Sequence, residues 1–280
     1  MKIPFIKIEG LGNDYIYVDK TSFARKKAAY APLARAISDR RHGVGSDGLI
    51  VIERLGPDSA FMTVHNSDGS LAKFCGNGLR GTALYFKTVY KSRARRFMIA
   101  TRWDEYIIEV TRAGERMAIV KADLGTPSFD PRALGLQGDF ISGLGIQLEL
   151  NGRRRTIYCV AMPNPQTVIF VDNFDFDWQK EGAALEKSPI FKDRTNVMFV
   201  RVDSAKKLSV MPWERGSGAT SACGSGAAAA TVISGLLELT RGEVTVAMPG
   251  GLLKTLWDIG DNHIYQEGPT RIVFSGSYIH

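Results

Sequence analysis

Two short segments of the chain carry residue types that could do acid–base chemistry at carbon. Cys75-Gly-Asn-Gly and Cys223-Gly-Ser-Gly stand 148 residues apart, and each precedes a helical pattern. A cysteine in this position lies at a helix N-terminus, where unpaired backbone N–H groups and the positive end of the helix dipole stabilise a thiolate and bind a carboxylate. One such segment is usually only a turn into a helix around a buried thiol. The second copy, with a polar residue nine positions before each cysteine (Asn66 and Glu214), favours a functional pair.

A pair of cysteines can invert the configuration of an amino acid at its α-carbon. Removal of the α-proton puts negative charge on the carboxylate, and N–H groups at the starts of two helices can stabilise that charge. Inversion also needs a base on one face of the carbon and an acid on the other, and a thiolate and a thiol can exchange these roles. The sequence lacks the lysine and phosphate-loop pattern typical of pyridoxal phosphate enzymes. We therefore predict a cofactor-independent epimerase with Cys75 and Cys223 as its catalytic residues.

The elements that must position these cysteines are many short strands and few helices. In the first half, strand patterns are predicted at Phe5–Ile8, Tyr15–Asp19, Leu49–Glu53, Ala60–Asn66, Phe97–Thr101, Tyr106–Arg112 and Met117–Ala122. In the second half, they are predicted at Gln147–Leu150, Thr156–Ala161, Thr167–Val171, Asn196–Val202 and Leu208–Trp213. Helical patterns cover about Ala28 to Arg40, Gly76 to about Val89, and Gly224 to about Leu237.

This mixture of elements predicts an α+β fold of two lobes with largely antiparallel strands. A length of 280 residues also favours two domains. The likeness between the halves predicts pseudo-symmetric lobes related by a pseudo-twofold axis, with one cysteine on each side of a shared cleft. We place the boundary at the turn Gly125-Thr-Pro, which gives an N-terminal lobe of residues 1–123 and a C-terminal lobe of residues 124–263.

Composition and charge argue against a nucleic-acid or membrane partner. The formal net charge is +7, but the basic runs Arg93-Ala-Arg95-Arg96 and Arg153-Arg154-Arg155 have no interleaved aromatic residues. We interpret both runs as solvated hairpin turns between strands. The first residues contain too short an apolar stretch for a signal peptide, and no run is long enough to span a bilayer. These features predict a cytoplasmic protein.

Three further patterns receive a structural interpretation. Cys159 lies inside a strand pattern without neighbouring glycines, so we predict a core residue. The segment Gly43-Val-Gly45-Ser-Asp-Gly48 matches the spacing of a dinucleotide-binding loop, but it precedes a strand instead of joining a strand to a helix. The four histidines show no ligand spacing, so no metal site is expected.

The motifs along the chain, taken in order, resemble those of the diaminopimelate epimerase family, whose members are pyridoxal-independent enzymes of lysine and cell-wall precursor synthesis. The resemblance covers essentially the whole chain. Its motifs are Gly10-Leu-Gly-Asn13-Asp-Tyr, Asp39-Arg-Arg-His-Gly43-Val-Gly-Ser-Asp-Gly48, Asn66-Ser-Asp-Gly-Ser70, Cys75-Gly-Asn77-Gly-Leu-Arg80, Asn164-Pro165, Asn196-Val197, Glu214-Arg215-Gly-Ser-Gly218, Cys223-Gly-Ser225-Gly226 and Met248-Pro-Gly-Gly251.

The resemblance implies a fold and an activity. Each lobe would be a mixed or antiparallel sheet wrapped around a central helix, and a last strand, about Arg271 to Ile279 within a segment of about 264–280, would complete the first lobe. The activity would be inversion of LL-2,6-diaminopimelate, a small diamino dicarboxylic acid, to the meso form, with Cys75 and Cys223 as the acid/base pair. The implied substrate-binding residues are Asn13, Asn66, Gly76, Asn77, Asn164, Asn196, Glu214, Arg215, Gly224 and Ser225.

Within that set, Arg215 would bind the carboxylate at the far end of the substrate, and Glu214 with neighbouring amides would bind the far ammonium group. These contacts would fix which end of the substrate reacts. The oligomeric state is left open, with a homodimer as one possibility.

Two positions depart from the family pattern. Gln166 follows the Asn-Pro pair, where the family usually has His, and Ala219 stands where the family often has Glu but tolerates small residues. Because an amide cannot titrate, Gln166 keeps open a racemase or epimerase of the same fold that acts on another amino acid. Two hypotheses from other classes also stay open: a non-enzymatic anion- or nucleic-acid-binding protein, suggested by a pI near 9.3, and a thiol-redox enzyme.

Overall fold

The computed structural model describes residues 2–23, 30–162 and 164–279, and the chain divides into two units. The first unit is Met1–Asp123 together with Glu267–His280, and the second is Leu124–Gln266. The second unit is therefore inserted between two parts of the first. One helix in each unit carries one of the two Cys-Gly segments at its start.

The first unit is a mixed sheet with two helices and a short 3₁₀ helix at Lys20–Phe23. In chain order its other elements are β1 (Lys2–Gly10), β2 (Asn13–Asp19), α1 (Tyr30–Ser38), β3 (Gly48–Arg54), β4 (Ser59–Asn66), α2 (Gly76–Thr88), β5 (Arg96–Ala100), β6 (Glu105–Ala113) and β7 (Met117–Asp123). The strands lie side by side in sequence order. The pairs β2–β3 and β4–β5 are parallel, and the other pairs from β1 to β7 are antiparallel.

The second unit is also a mixed sheet. Its elements are α3 (Pro131–Leu134), β8 (Ile146–Leu150), β9 (Arg153–Met162), β10 (Asn164–Phe170), α4 (Trp178–Glu186), β11 (Asn196–Ser204), β12 (Lys207–Glu214), β13 (Gly218–Ala219), α5 (Gly224–Leu236), β14 (Val244–Met248), β15 (Gly251–Asp258) and the first part of β16 (His263–Ile279). The sheet order is β8–β9–β10–β11–β12–β14–β15. The pairs β10–β11 and β12–β14 are parallel.

The last part of β16 returns to the first unit and completes its sheet. It pairs antiparallel with β1, from Lys2 opposite Ile279 to Glu9 opposite Arg271. On its other side, the N–H of Ile272 donates to the carbonyl of Arg116, just before β7. The strands of the first unit therefore close on themselves around α2.

The two cysteine-bearing helices are the central helices of their units, and their small residues explain why. In α2, a Cβ on Gly81 would lie 2.0 Å from the Tyr17 hydroxyl, so only glycine lets the helix approach β2 this closely. In α5, Ala227–Ala230 are fully buried, and a Cβ on Gly226 would lie 2.3 Å from the Met198 sulfur on β11. Both helices are buried over most of their length, Gly76–Phe86 in α2 and Ser225–Ser234 in α5, so each is covered on every side.

The α+β class and the order of the predicted strands and helices are confirmed, and several bounds change. The helix predicted from about Ala28 begins, within the described residues, at Tyr30 and ends at Ser38; Ala28 and Ala29 lie outside the described residues. The final strand begins at His263, well before the expected Arg271. The elements α3, α4, β13, β14 and β15 are not among those predicted from the sequence.

The interpretation of both basic runs as hairpin turns between strands is wrong. The run Arg93–Arg96 connects helix α2 to strand β5. The run Arg153–Arg155 forms the start of β9, and Arg155 makes two hydrogen bonds of 2.9 and 3.0 Å to the buried carboxylate of Glu181. Part of this positive charge is therefore paired inside the second unit, where loss of either partner would leave the other charge buried and unpaired.

No helix among the described residues is long and apolar enough to cross a membrane.

Candidate functional site

Cys75 is the N-cap residue of α2. Its backbone is extended (φ −150°, ψ 98°), and its sulfur accepts the backbone N–H of Gly78 at 3.2 Å. A Cβ on Gly78 would lie 3.2 Å from this sulfur and 2.9 Å from Ile50, so glycine at this position gives the sulfur room. The Cys75 side chain is half-buried. The predicted location at a helix N-terminus is confirmed.

A buried cation lies one helical turn beyond Cys75. Arg80 is 0% exposed, and burial lowers its pKa to about 10, so the guanidinium stays charged at neutral pH. Negative charge on Cys75 acts in the opposite direction and stabilises the Arg80 cation. Because this attraction is mutual, Arg80 favours the thiolate form of Cys75. The charges of Arg80 and Cys75 also act on the fully buried Tyr17, whose hydroxyl donates to the carbonyl of Gly78.

A chain of hydrogen bonds fixes two of the predicted substrate-binding amides. Arg80 donates to the side-chain oxygen of Asn77, and the Asn77 amide donates to the side-chain oxygen of Asn13 at 2.9 Å. The Asn13 amide donates to the Asp47 carboxylate at 2.7 Å. Arginine can only donate and a carboxylate can only accept, so the two ends of the chain determine which way both amides face.

Three salt bridges hold the far end of this chain of hydrogen bonds. Arg40 bridges Asp47 at 2.9 Å and Asp14 at 2.8 Å, and Lys7 pairs with Asp14 at 2.7 Å. The Gly43–Gly48 loop, which matches only the spacing of a dinucleotide-binding loop, therefore supplies Asp47, whose carboxylate holds the side chain of Asn13.

Asn66 lies apart from that chain, at the end of β4. Its amide donates to the hydroxyl of Ser70 at 3.0 Å, and its backbone N–H donates to the carbonyl of Ser70. These bonds close the Asn66–Ser70 loop that precedes Cys75. The motif Asn66-Ser-Asp-Gly-Ser70 is thus a folded turn, in which Gly69 has a φ of 85°.

Cys223 is the N-cap residue of α5 and is 3% exposed. Burial raises the pKa of its thiol well above the ordinary value. The carboxylate of Glu214 raises this pKa further, by its negative charge and by accepting a hydrogen bond from the thiol. Glu214 is in turn held by the hydroxyl of Thr220, which donates to it at 2.6 Å. The polar residue nine positions before the second cysteine is therefore its neighbour.

Gln166 joins the predicted residues Asn164 and Ser225. Its amide nitrogen donates to the Asn164 side-chain oxygen at 2.9 Å and to the Ser225 hydroxyl at 3.0 Å. The Ser225 hydroxyl lies 3.6 Å from the Cys223 sulfur. Gln166 itself is fully buried, and its side-chain oxygen has no hydrogen-bond partner within the part of the chain that the structure describes. Gln166, one of the two positions that depart from the family pattern, is therefore connected to Cys223 through the Ser225 hydroxyl.

Asn196 holds the turn that carries Arg215. The Asn196 side-chain oxygen accepts the backbone N–H of Arg215 at 2.8 Å, and its amide nitrogen donates to the carbonyl of Pro165 at 3.2 Å. The Arg215 side chain is largely exposed and donates to the carbonyl of Asp193 at 2.8 Å. Asn196 thus links two of the predicted motifs through their backbones.

Two residues outside the predicted site, Met248 and Gln266, make hydrogen bonds to the backbone of the Cys223-Gly224 segment. The sulfur of Met248 accepts the backbone N–H of Cys223 at 3.4 Å, which gives the Met248–Gly251 motif a structural purpose. Gln266 donates to the carbonyl of Gly224 at 2.9 Å. Gly76 and Gly224, which the resemblance places at the substrate, are the first residues of α2 and α5. No sequence signal identified Gln266, because its contact joins positions 42 residues apart.

Cys159 is confirmed as a core residue. It lies in β9 with 1% exposure, and burial raises the pKa of its thiol to about 12. Such a thiol stays protonated at neutral pH and is unreactive.

Each unit therefore supplies a thiol at the start of a buried helix, beside the backbone N–H groups of the first helical turn. This arrangement can bind an anionic group and can accept or deliver a proton beside it.

Comparison with known proteins gives a consistent result. Residues 5–129 and 158–273 match the model of the family described as diaminopimelate epimerase. The chain is 36% identical over 275 residues to a diaminopimelate epimerase of Desulfitobacterium hafniense, covering 97% of this chain and 96% of that protein. It is 37% identical over 275 residues to one of Pelotomaculum thermopropionicum, covering 98% of each.

Solved structures show the same fold at low sequence identity. A phenazine biosynthesis protein of the PhzF family from Bacillus anthracis is 12% identical, with a TM-score of 0.73 over the full length of both chains. A hydroxyproline epimerase from Agrobacterium vitis, with bound trans-4-hydroxy-L-proline, is 10% identical, with a TM-score of 0.67 over 99% of this chain and 91% of the other.

Proposed function

Because this chain belongs to the diaminopimelate epimerase family and is an isomerase, we propose that it interconverts LL- and meso-2,6-diaminopimelate by proton transfer between Cys75, the substrate α-carbon and Cys223. The observation that carries this proposal is the placement of both cysteines as N-cap residues of buried helices in a chain of this family. In this proposal, the reaction supplies precursors for lysine and peptidoglycan.

The proposed chemistry uses what each helix start provides. One cysteine, as a thiolate, removes the α-proton, and the other, as a thiol, delivers a proton to the opposite face. The developing charge on the α-carboxylate is stabilised by N–H groups at Gly76 and Asn77 of α2 and at Gly224 and Ser225 of α5. The proton count balances, because the thiol that gives a proton becomes the thiolate for the reverse reaction.

The far end of the substrate needs its own contacts. Arg215 has an exposed guanidinium that suits a carboxylate, and the Glu214 carboxylate suits an ammonium group. Asn13, Asn66, Asn164 and Asn196 supply further amide groups in this proposal. Hydrogen bonds to the far amino-acid head would discriminate strongly against substrates that lack it, because a site built for polar groups is left unsatisfied without them.

Gln166 is the observation that favours a second candidate function. A buried amide beside Ser225 and Cys223 cannot gain a charge, so the pH response of the site differs from that of a site with His at this position. The second candidate is a racemase or epimerase of the same fold with another amino-acid substrate.

The test is deuterium uptake at the α-carbon of LL-diaminopimelate in deuterated water, under reducing conditions and without added cofactor. We expect the wild type to exchange and invert the substrate. We expect Cys75→Ala and Cys223→Ala each to lose inversion by about 10²- to 10⁴-fold, the usual contribution of a general acid or base. Cys159→Ala is the matched control and should retain activity.

A panel of other amino acids separates the two candidates. Uptake confined to a different amino acid would replace diaminopimelate as the substrate and keep the two-cysteine chemistry. If the folded, reduced wild type exchanged the α-proton of no amino acid in the panel, both candidate functions would be wrong.

A further inference from the structure

In the second unit, the buried carboxylate of Glu186 accepts three hydrogen bonds, one of them from the backbone of the turn that carries Arg215. Glu186, the last residue of α4, is 3% exposed. It accepts the indole N–H of Trp213 at 2.8 Å, the backbone N–H of Gly216 at 3.0 Å and a guanidinium N–H of Arg194 at 3.3 Å. Burial alone would raise the pKa of Glu186, but these three donors hold it below its ordinary value. The carboxylate is therefore charged at neutral pH.

The Trp213 side chain is enclosed by two glycines. A Cβ on Gly182, one helical turn before Glu186, would lie 2.8 Å from the indole ring, so α4 presents a gap and an acceptor on one face. A Cβ on Gly218 would lie 3.5 Å from the other end of the ring. Gly218 also has a φ of 76°, which other residues rarely adopt. The turn from Glu214 to Gly218 thus folds around an indole that α4 holds.

The turn has other restraints as well: the Ser217 N–H donates to the carbonyl of Glu214 at 3.0 Å, Glu214 pairs with Gly218 between β12 and β13, and the Arg215 guanidinium donates to the carbonyl of Asp193. Arg215, Gly216 and Ser217 are exposed, so they bury little apolar surface. The backbone N–H of Arg215 donates to the Asn196 side chain at 2.8 Å. Arg194, two residues before Asn196 at the start of β11, donates to Glu186. Glu214 is held separately by Thr220. Loss of the Glu186 carboxylate would therefore free the Arg215 part of the turn more than Glu214.

We infer that Glu186 and Trp213 are positioning residues that place Arg215 for recognition of the far carboxylate of the substrate. This inference rests on the proposed function for the role of Arg215. Neither residue touches the reacting carbon in this scheme. Their effect should fall on substrate affinity, with little effect on proton transfer at the cysteines.

Glu181→Gln is a matched control for Glu186→Gln. Glu181 lies on the same helix, is 4% exposed and is bound by an arginine, Arg155. Its carboxylate binds Arg155 of β9 and has no hydrogen bond to the turn among the described residues. The Glu181→Gln variant should therefore reproduce the cost of neutralising a buried Glu of α4 without releasing Arg215. Trp213→Phe is a second variant, which keeps ring packing and removes only the N–H donor.

The experiment measures steady-state kinetics with LL-diaminopimelate and hydrogen exchange of the peptide spanning residues 213–219. For Glu186→Gln, we expect KM to rise about tenfold, kcat to stay within about twofold, and amide exchange in the turn to rise about tenfold, as loss of a charged hydrogen-bond acceptor implies. Trp213→Phe should shift KM and exchange in the same direction by about threefold. Glu181→Gln should leave both unchanged.

A double variant tests whether Glu186 acts through Arg215. Once Arg215→Ala has removed the guanidinium, Glu186→Gln should raise KM no further. Equal exchange and equal KM in the Glu186→Gln and Glu181→Gln variants would overturn the inference, as would additive effects in the double variant. If the wild type were inactive on diaminopimelate, the proposed function would fail, and the exchange comparison would still decide whether Glu186 holds the turn.

Discussion

The starts of α2 and α5 have the same backbone design and opposite electrostatics. Each helix has 13 residues and an extended cysteine as its N-cap. At α2, the half-buried Cys75 accepts a capping N–H and lies in the field of the buried Arg80 cation. At α5, Cys223 is buried; the Gly226 N–H and the Ser225 hydroxyl lower the pKa of its thiol, but burial and the Glu214 carboxylate raise that pKa by more.

This difference teaches that the repeated motif does not make the two thiols equivalent. A neighbouring cation stabilises a thiolate, whereas burial and a neighbouring anion stabilise a thiol. We therefore expect Cys75 to ionise more readily than Cys223 in the free enzyme. The proposed two-base mechanism needs one cysteine in each state, and the different surroundings of the two helix starts favour such an inequality.

The largest test of the comparison removes the cation from the α2 side. Arg80→Met should lower kcat on the order of 100-fold, because a preorganised charge beside the proposed base, Cys75, is lost. It should also slow alkylation of Cys75 by iodoacetamide about tenfold, since less of the thiol is ionised. Both are measured at pH 7.5, with the alkylated cysteine identified by mass spectrometry.

Arg80→Lys separates charge from hydrogen bonding. Lysine keeps the positive charge, so Cys75 should be alkylated at nearly the wild-type rate. It lacks the fork that holds Asn77, so kcat should still fall. Unchanged Cys75 reactivity in Arg80→Met would show that Arg80 does not set the charge of Cys75.

A smaller effect is expected from removing the anion on the α5 side. In the wild type, Cys223 should be alkylated at least about tenfold more slowly than Cys75 near neutral pH. Because the pKa of Cys223 is raised, its alkylation should accelerate only at a pH above the pKa of an ordinary thiol. Glu214→Gln should shift this profile to lower pH and speed Cys223 alkylation about tenfold at pH 8.

Thr220→Val is the control for that prediction. It removes the hydroxyl that donates to Glu214 and leaves the carboxylate charge in place, so Cys223 should remain slow to react. If Glu214→Gln left the pH profile of Cys223 unmoved, burial alone would account for its protonation.

The sequence was sufficient to predict the parts of the molecule that depend on local pattern. The positions of Cys75 and Cys223 at helix starts followed from a Cys-Gly pair before a helical pattern, and most strands followed from runs of β-branched and aromatic residues. The α4 helix was missed because its short segment carries Gly182 and the buried Glu181 and Glu186, which weaken an amphipathic pattern.

The electrostatic difference between the two halves could not be predicted, because it depends on contacts distant in sequence. Arg80 stood in a recognised motif, yet only the fold shows that it is fully buried. The basic run at Arg153 was read as solvent-exposed, and its partner Glu181 lies 26 residues from Arg155. Partners of charged residues at such separations leave no periodic signal.

The smallest effect is expected at Gln166, which lies on the α5 side of the comparison. Gln166→His would place a titratable ring beside Ser225, within reach of the Cys223 surroundings. At pH 8 the ring is neutral, and activity should stay within about threefold of the wild type. Below about pH 6.5 the ring gains a proton, and the new cation repels the substrate ammonium group and favours ionisation of Cys223, so activity should fall relative to the wild type.

The informative quantity is the ratio of variant to wild-type kcat/KM across pH 5.5 to 8.5, because groups common to both proteins cancel in it. Gln166→Met, similar in length and without a titratable group, should give a ratio that is lowered by lost hydrogen bonds but flat with pH. A ratio for Gln166→His as flat as that for Gln166→Met would mean that position 166 does not communicate with Cys223. A sloping ratio would instead show that the amide keeps the thiol on the α5 side insensitive to pH over the physiological range, where His at the same position would couple it to proton concentration.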